Sequence, residues 1–380
     1  MDFYTNVVQW GNFLLVRGVD NNQRVNFRLK YKPTLFVPVM KQTDWKTLDG
    51  KSVTPYQFDC IKDAKDFLLK YESQPHLVHG LNRFAYTYIS DTFPQKVNWN
   101  IDKILIMTID IEVQCENGFP NPESAIEPLL SITVKNQQSK KIIVWGIQPY
   151  KNTREDVTYI RCPNEHDLIM EFMSFWTKNY PDVITGWNTD FFDIPYLANR
   201  IKQVCGEDKM RELSPWKNVS SKQIYSMGRN HLMYDIMGVS QYDYLQLYQK
   251  FTYIRQESYK LDYIASVELG EKKDENPYET FREWYENDFQ SFIDYNIQDV
   301  EIVDKLEDKM GLIDLALTMA YEGKVNYSDV FGQVKYWDIL IYNFLRKRKI
   351  VIPQKSSHSK NEQYEGCLLY TSDAADDVHR

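Results

Sequence analysis

The chain has 380 residues, 43% apolar and 26% charged, a composition ordinary for a soluble globular protein with room for two or three domains. No apolar run approaches a membrane span, the first residues lack the basic and apolar segments of a signal peptide, and five scattered cysteines without C-x-x-C spacing argue for a reducing compartment and against structural zinc. A net charge of −8 confines any nucleic-acid contact to local basic patches.

Residues 1–102 read as β-rich. "NFLLVRGVDNNQRVNFRLKYKPTLFVPV" gives a strand, a turn at Asp20, Asn21 and Asn22, a second strand and a Pro-bounded third. From about residue 103 the pattern changes. "ILIMTIDIEV" is a buried strand that carries two carboxylates, Asp110 and Glu112, one residue apart. Residues i and i+2 of a strand share a face, so two like charges sit side by side among apolar neighbours. Such a pair stays ionised cheaply when a cation lies between its members. Two solvated charges at a sheet edge are the other reading.

A Gly/Pro-rich loop, "ENGFPNPESA", follows. "LLSITV" and "KIIVWGI" then read as a hairpin, and "NEHDLIMEFMSFWTKN" as a helix capped by Asn164, with Leu168, Phe172, Phe175 and Trp176 on one face. "DVITGWN" is a short strand, and a helix opens at "DIPYLANRIKQV". This order predicts a mixed sheet with helices packed on it. Asn188 and Asp193 fall at the strand–helix loop, where α/β sheets place function. Asp193 is either a functional carboxylate or the N-cap before Pro195. "QIYSMGRNHLMYDIMG" reads as two strands around Gly228, Arg229 and Asn230. "FIDYNIQDVEIVDKLEDKM" is a helix on which Tyr295, Asp299 and Val303 share a face, while Asp294, Glu301, Asp304 and Glu307 read as solvated charges. The basic run at 346–349 reads as a solvated helix end, with a phosphate track as the other possibility.

In chain order these are D-x-E on a strand, the aspartate closing N-x-x-x-F-D, and Y-x-x-x-D on a helix. Together they resemble the three motifs of the DEDDy class of 3′→5′ exonucleases, which have an RNase H-like α/β fold. "YKPTLFVP", "GFPNP", "TGWNTDFFDIPYLANRI", "SYKLDYIA", "YNIQDV" and "KIVIPQ" look like stretches of the N-terminal half of family B DNA polymerases of the T-even-like phage kind. The likeness runs from about residue 3 to residue 366.

The resemblance implies a β-rich N-terminal domain at 1–102 to which the chain returns at 313–355, an RNase H-like exonuclease domain at 103–312, and the start of a palm at 356–366. It implies hydrolysis of the 3′-terminal phosphodiester of DNA with two Mg²⁺ ions, or Mn²⁺ in their place. Such ions lie roughly 3.5–4 Å apart and take oxygen ligands. Asp110 would bridge both ions, Glu112 and Asp299 would complete the site that activates water, Asp193 would hold the second ion, and Tyr295 would orient the water. Phe119 would wedge against the 3′-terminal base or else pack into the core, and Asn188 would lie near the DNA or the metal. The hairpin would keep the primer end from the template, or be a plain surface hairpin.

The implied partners are a single-stranded 3′ end, a primer–template and a sliding clamp reached through a part missing here, without a membrane, in the cytoplasm of a phage-infected bacterium. The palm aspartates, fingers and thumb are missing, so the chain is expected to carry at most the proofreading exonuclease of a replicative DNA-directed DNA polymerase. A stand-alone DEDDy nuclease and a non-catalytic DNA-binding relative are the rivals; the presence of all four carboxylates speaks against the second. The motif at Tyr364 and Gly366 breaks at Cys367. Residues 367–376 look like one reading frame of a transposon mosaic-end sequencing adapter, so 367–380 is expected to be an adapter-derived tail.

Overall fold

The computed structural model describes residues 1–115, 118–226, 228–271 and 277–354. The expected palm start at 356–366 and tail at 367–380 lie outside the described residues.

Three antiparallel strands open the chain: β1 (Phe3–Trp10), β2 (Phe13–Asp20) and β3 (Gln23–Leu29). Asp20 pairs with Gln23 across a two-residue turn whose Asn21 and Asn22 have φ of 49° and 61°. Asparagine tolerates that left-handed backbone, and two such residues in succession give the turn the twist a hairpin needs. Next come β4 (Thr34–Pro38), β5 (Trp45–Thr47), β6 (Ser52–Gln57) and helix α1 (Ile61–Lys70), then α2 (Phe84–Thr92).

Strands β7 (Ile106–Val113), β8 (Leu129–Asn136), β9 (Ile142–Gly146) and β10 (Val157–Arg161) precede α3 (Glu165–Lys178), β11 (Val183–Gly186), α4 (Asp193–Cys205) and α5 (Glu207–Arg211). Hairpin β12 (Val219–Ser226) and β13 (Arg229–Ile236) leads to β14 (Ser240–Asp243) and α6 (Tyr244–Phe251). Ser226 pairs with Arg229, so this hairpin turns one to two residues earlier than expected, and Asn230 belongs to a strand. Helices α7 (Leu261–Leu269), α8 (Phe281–Asn287), α9 (Phe289–Met310), α10 (Leu312–Gly323) and α11 (Gln333–Arg346) follow, and β15 (Ile350–Val351) pairs with β5.

The described residues form two compact units, Met1–Tyr31 with Arg83–Asn343, and Lys32–Asn82 with the described chain from Phe344 to Gln354. These bounds differ from 1–102 plus 313–355. The first sheet belongs with the larger unit because its polar groups are satisfied there. The Tyr4 hydroxyl donates to the Val325 carbonyl at 2.8 Å, and the Val7 N–H donates to Asn326 Oδ1 at 2.8 Å.

The larger unit holds a six-stranded mixed sheet in the order β10-β9-β8-β7-β11-β14. Its layering follows from alternation along β7. Ile109, Ile111 and Val113 face a core shared with Phe172 and Trp176 of α3 and Leu197 and Ile201 of α4. On the other side of the sheet, Phe292, Ile293, Ile297 and Val300 of α9 pack with Leu130, Val144 and Val157. Full burial of a side chain such as Phe172 contributes about 1.5–3 kcal/mol. The result is a mixed α/β arrangement, as an RNase H-like exonuclease domain requires. Asn164 caps α3 by accepting from the Asp167 N–H at 2.9 Å.

Two of the charges read as solvated are not. Asp304 is 3% exposed and bridges Lys135 and Lys140, each at 2.8 Å. Glu307 accepts from the backbone N–H groups of Ile313 and Asp314, the orphan donors at the start of α10. A helix that is packed along most of its length leaves few positions for free charges.

Candidate active site

Strand β7 and helix α9 build the floor of the site. Asp110 and Glu112 point away from the aliphatic face of β7 and are half-buried. Asp299 on α9 comes to them from the facing layer. One ligand atom from each of the three lies within 4.8 Å of the others. Carboxylate oxygens are hard donors suited to a divalent cation that keeps oxygen ligands. The nearby Cys115 thiol is pushed up to about 11 by burial and by the Glu112 charge, so it does not compete as a thiolate. The donor set therefore fits a hard divalent ion.

Asp193 stands apart from that trio. It is the first residue of α4, and the N-cap is Phe192, which makes no side-chain capping bond. The Asp193 side chain turns to the sheet and accepts from the Ile111 N–H at 3.1 Å. It is thus not the cap that the Pro195 spacing allowed. All five expected residues, Asp110, Glu112, Asp193, Tyr295 and Asp299, line one cavity of about 290 Å³. Phe119 and Asn188 also line it.

The turn that delivers Asp193 is held from below. Gly186 ends β11 where a Cβ would lie 2.4 Å from the Ile109 carbonyl oxygen, so only glycine fits against β7 there. Asn188 has φ of 64°, a conformation asparagine adopts more readily than other non-glycine residues. Asp243, fully buried at the end of β14, accepts from the Asn188 N–H at 3.1 Å, the Asp190 N–H at 3.2 Å and the Leu245 N–H at 2.9 Å. One carboxylate thereby caps α6 and fixes the loop. Burial raises the Asp243 carboxyl, and it raises Asp190, which the Asp243 charge pushes up further. Sequence reading passed over Asp243; its only local sign is an acidic residue closing a strand before an apolar-periodic helix.

Tyr295 is half-buried, with its ring edge-on to Trp284 at 4.9 Å and to Phe281 at 6.2 Å. Its neighbour Asn296 was also passed over. Asn296 is fully buried and donates from Nδ2 to Asp110 Oδ2 at 2.5 Å. Phe119 is 82% exposed rather than tucked into the core, and its ring lies 5.0 Å from that of Phe192. A neighbouring cavity of about 380 Å³ shares Phe119, Asn188 and Phe192 and is also lined by His231, whose ring lies 4.4 Å from that of Phe191, tilted to it. The run at 346–349 ends α11, with the Arg348 guanidinium 3.6 Å over the Phe344 ring and Lys349 paired to Asp44 at 2.6 Å.

Burial pushes the Asp193 carboxyl up to about 8, and the charges of Asp243 and Asp299 add to the rise against the hydrogen bond from Ile111. A carboxyl raised in the folded state holds a proton that the unfolded chain has released. Its stabilisation is full below the unfolded value near 4 and is lost as pH rises through about 8. The melting temperature in EDTA is therefore expected to fall from pH 5 to pH 9, and Asp193→Asn should flatten that slope. A melting temperature that rises across this window would contradict the assignment.

Residues 82–264 match the family model "DNA polymerase family B, exonuclease domain". The chain is 34% identical to the DNA-directed DNA polymerase of Escherichia phage RB69 and 32% identical to that of Enterobacteria phage T4, over 97% of this chain and 44% of each relative. It is 26% identical to the DNA polymerase delta catalytic subunit of Candida albicans, over 73% of this chain and 28% of that protein. The chain thus spans less than half the length of these relatives. Among the described residues, no helix is long and apolar enough to cross a membrane.

Proposed function

We propose that the chain, whose residues 82–264 match the exonuclease domain of family B DNA polymerases, is the N-terminal and 3′→5′ proofreading region of a DNA-directed DNA polymerase. The observation that carries this reading is the convergence of Asp110, Glu112, Asp193, Tyr295 and Asp299, drawn from a strand and two helices, on one cavity. Its substrate is a single-stranded 3′ end of DNA delivered from a primer–template. The products are a 5′-mononucleotide and a strand shorter by one. Water oxygen adds to phosphorus, the bond from phosphorus to the 3′ oxygen breaks, and that oxygen leaves with a proton.

Asp110, Glu112 and Asp299 would hold Mg²⁺, with Mn²⁺ as a substitute, and Asp193 would serve a second ion. When bound, such ions supply Lewis-acid stabilisation of the charge that develops on the attacking and leaving oxygens. The chain's own groups do the positioning. The Tyr295 hydroxyl orients the attacking water, while Phe281 and Trp284 fix its ring. Phe119, exposed beside Phe192, offers a stacking face to the terminal base, which is a sequence-tolerant way to hold a single strand. Asn188 contributes a polar group at the strand end of the same cleft. The parent protein would work in the cytoplasm of a phage-infected bacterium, a reading the phage relatives support, and with a sliding clamp, which only the sequence resemblance implies.

The test is a 5′-labelled single-stranded oligonucleotide incubated with the purified chain. A ladder shortening from the 3′ end with Mg²⁺, and none with EDTA, is the expected result. Absence of Mg²⁺-dependent shortening would sink the proposal. Tyr295→Phe keeps the ring packing and removes the hydroxyl. It should slow hydrolysis by about 10²-fold or less, with Mn²⁺ affinity near wild type. Parallel loss of metal binding would make Tyr295 a support for Asp299 instead.

A further inference from the structure

We infer that Asn296 is a positioning residue for Asp110, holding that carboxylate in the orientation in which it meets the metal; the inference rests on the proposed exonuclease site. Asn296 is fully buried on α9, one residue after Tyr295, at a position whose helical neighbours Ile293, Ile297 and Val300 are apolar core. A buried amide is costly there unless every one of its groups is bonded.

The bonds it makes are specific. Its Oδ1 accepts from the Ser131 hydroxyl at 3.1 Å and from the Thr133 hydroxyl. Those two residues stand on β8 directly opposite Glu112 and Asp110 in the strand register. Its Nδ2 donates to Asp110 Oδ2. The amide's orientation is decided by chemistry: a carboxylate only accepts, so the NH₂ must face Asp110, and hydroxyls can donate to the oxygen left behind. Two hydroxyls on the sheet thus set the amide, and the amide sets the carboxylate. Outer groups of this kind orient metal ligands and hold their lone pairs in register. The same amide ties α9 to β7 and β8, so the helix that supplies Asp299 and the strand that supplies Asp110 share one polar joint.

The test is Mn²⁺ affinity, measured by calorimetry on the full chain at a temperature where circular dichroism shows it folded. Wild type is compared with Asn296→Ala, with Ser131→Ala combined with Thr133→Val, and with Asp110→Ala as reference. Asn296→Ala is expected to weaken Mn²⁺ binding about 10–100-fold, and the β8 pair to weaken it in the same direction by less. A purely structural amide would lower the melting temperature and leave the Mn²⁺ dissociation constant within twofold of wild type, which overturns the inference. Should Asn296→Ala fail to fold, the β8 pair decides by the same criterion. If Asp110→Ala binds Mn²⁺ as wild type does, the metal site itself is misassigned, and the inference falls with the proposed function rather than alone.

Discussion

Replacing Asp110 and Glu112 together with alanine is expected to abolish Mg²⁺-dependent degradation of single-stranded DNA from its 3′ end. On the proposed function, removing two of the three clustered carboxylates would remove the means of holding the ion that stabilises the developing charge. That stabilisation amounts to several kcal/mol, or about 10³-fold or more in rate. Folding should survive. Two like charges on one strand face disappear, which relieves repulsion in the metal-free protein. Against this, Asn296 loses its acceptor at Asp110, which costs about 1–3 kcal/mol for an unsatisfied buried group. A single-turnover assay with a labelled oligonucleotide, beside a thermal melt in EDTA, separates the two effects. Digestion at a rate near wild type by a folded double variant would show that the chemistry lies elsewhere.

The largest effect on stability is expected at Asp182, far in role from any chemistry. Its carboxylate is 3% exposed and takes one partner from each strand of the first sheet: Thr5 at 2.9 Å, Arg17 at 3.2 Å and Arg24 at 2.9 Å. It also accepts from the Leu105 N–H at 3.0 Å. Burial pulls the Arg17 guanidinium down from its ordinary value, and Asp182 works against that pull. Asp182→Ala leaves this cation buried without its counter-charge, at a cost of about 3–5 kcal/mol. For a unit of this size that lowers the melting temperature by about 6–20 °C. Urea unfolding followed by tryptophan fluorescence measures it. A loss under about 1 kcal/mol would mean that the carbonyls of Pro181, Tyr180 and Gly238, which Arg17 also reaches, suffice without it.

The parts of the molecule that could be read from sequence are those in which function obeys a local period. Asp110 and Glu112 are two apart on a strand, and Tyr295 and Asp299 are four apart on a helix, so their shared faces follow from backbone geometry alone. The hairpin of β8 and β9 and the capped helix α3 carry equally local marks. Where the local pattern falls short, the cause is a distant partner. The residues leave Asp193 as either a functional carboxylate or a cap before Pro195, and its side chain is claimed by the Ile111 N–H of β7. Asp304 looked solvated because its lysine partners lie on and just after β8. The first sheet looked like part of a separate domain because the groups that satisfy Tyr4 and Val7 are more than 300 residues away. Asn296 and Asp243 look like incidental polar residues until their acceptors and donors are in place.

The joint between Asp110 and Asn296 spans 186 positions of chain. A ribosome adding about 5–20 residues per second needs roughly 10–40 s to cover that interval. During all of it the strand bearing Asp110 and Glu112 exists without the helix that completes the trio. On the proposed function, a nascent chain is expected to be harmless to DNA until α9 has emerged and docked, and a premature stop anywhere before α9 is expected to yield a product without nuclease activity rather than an unregulated one.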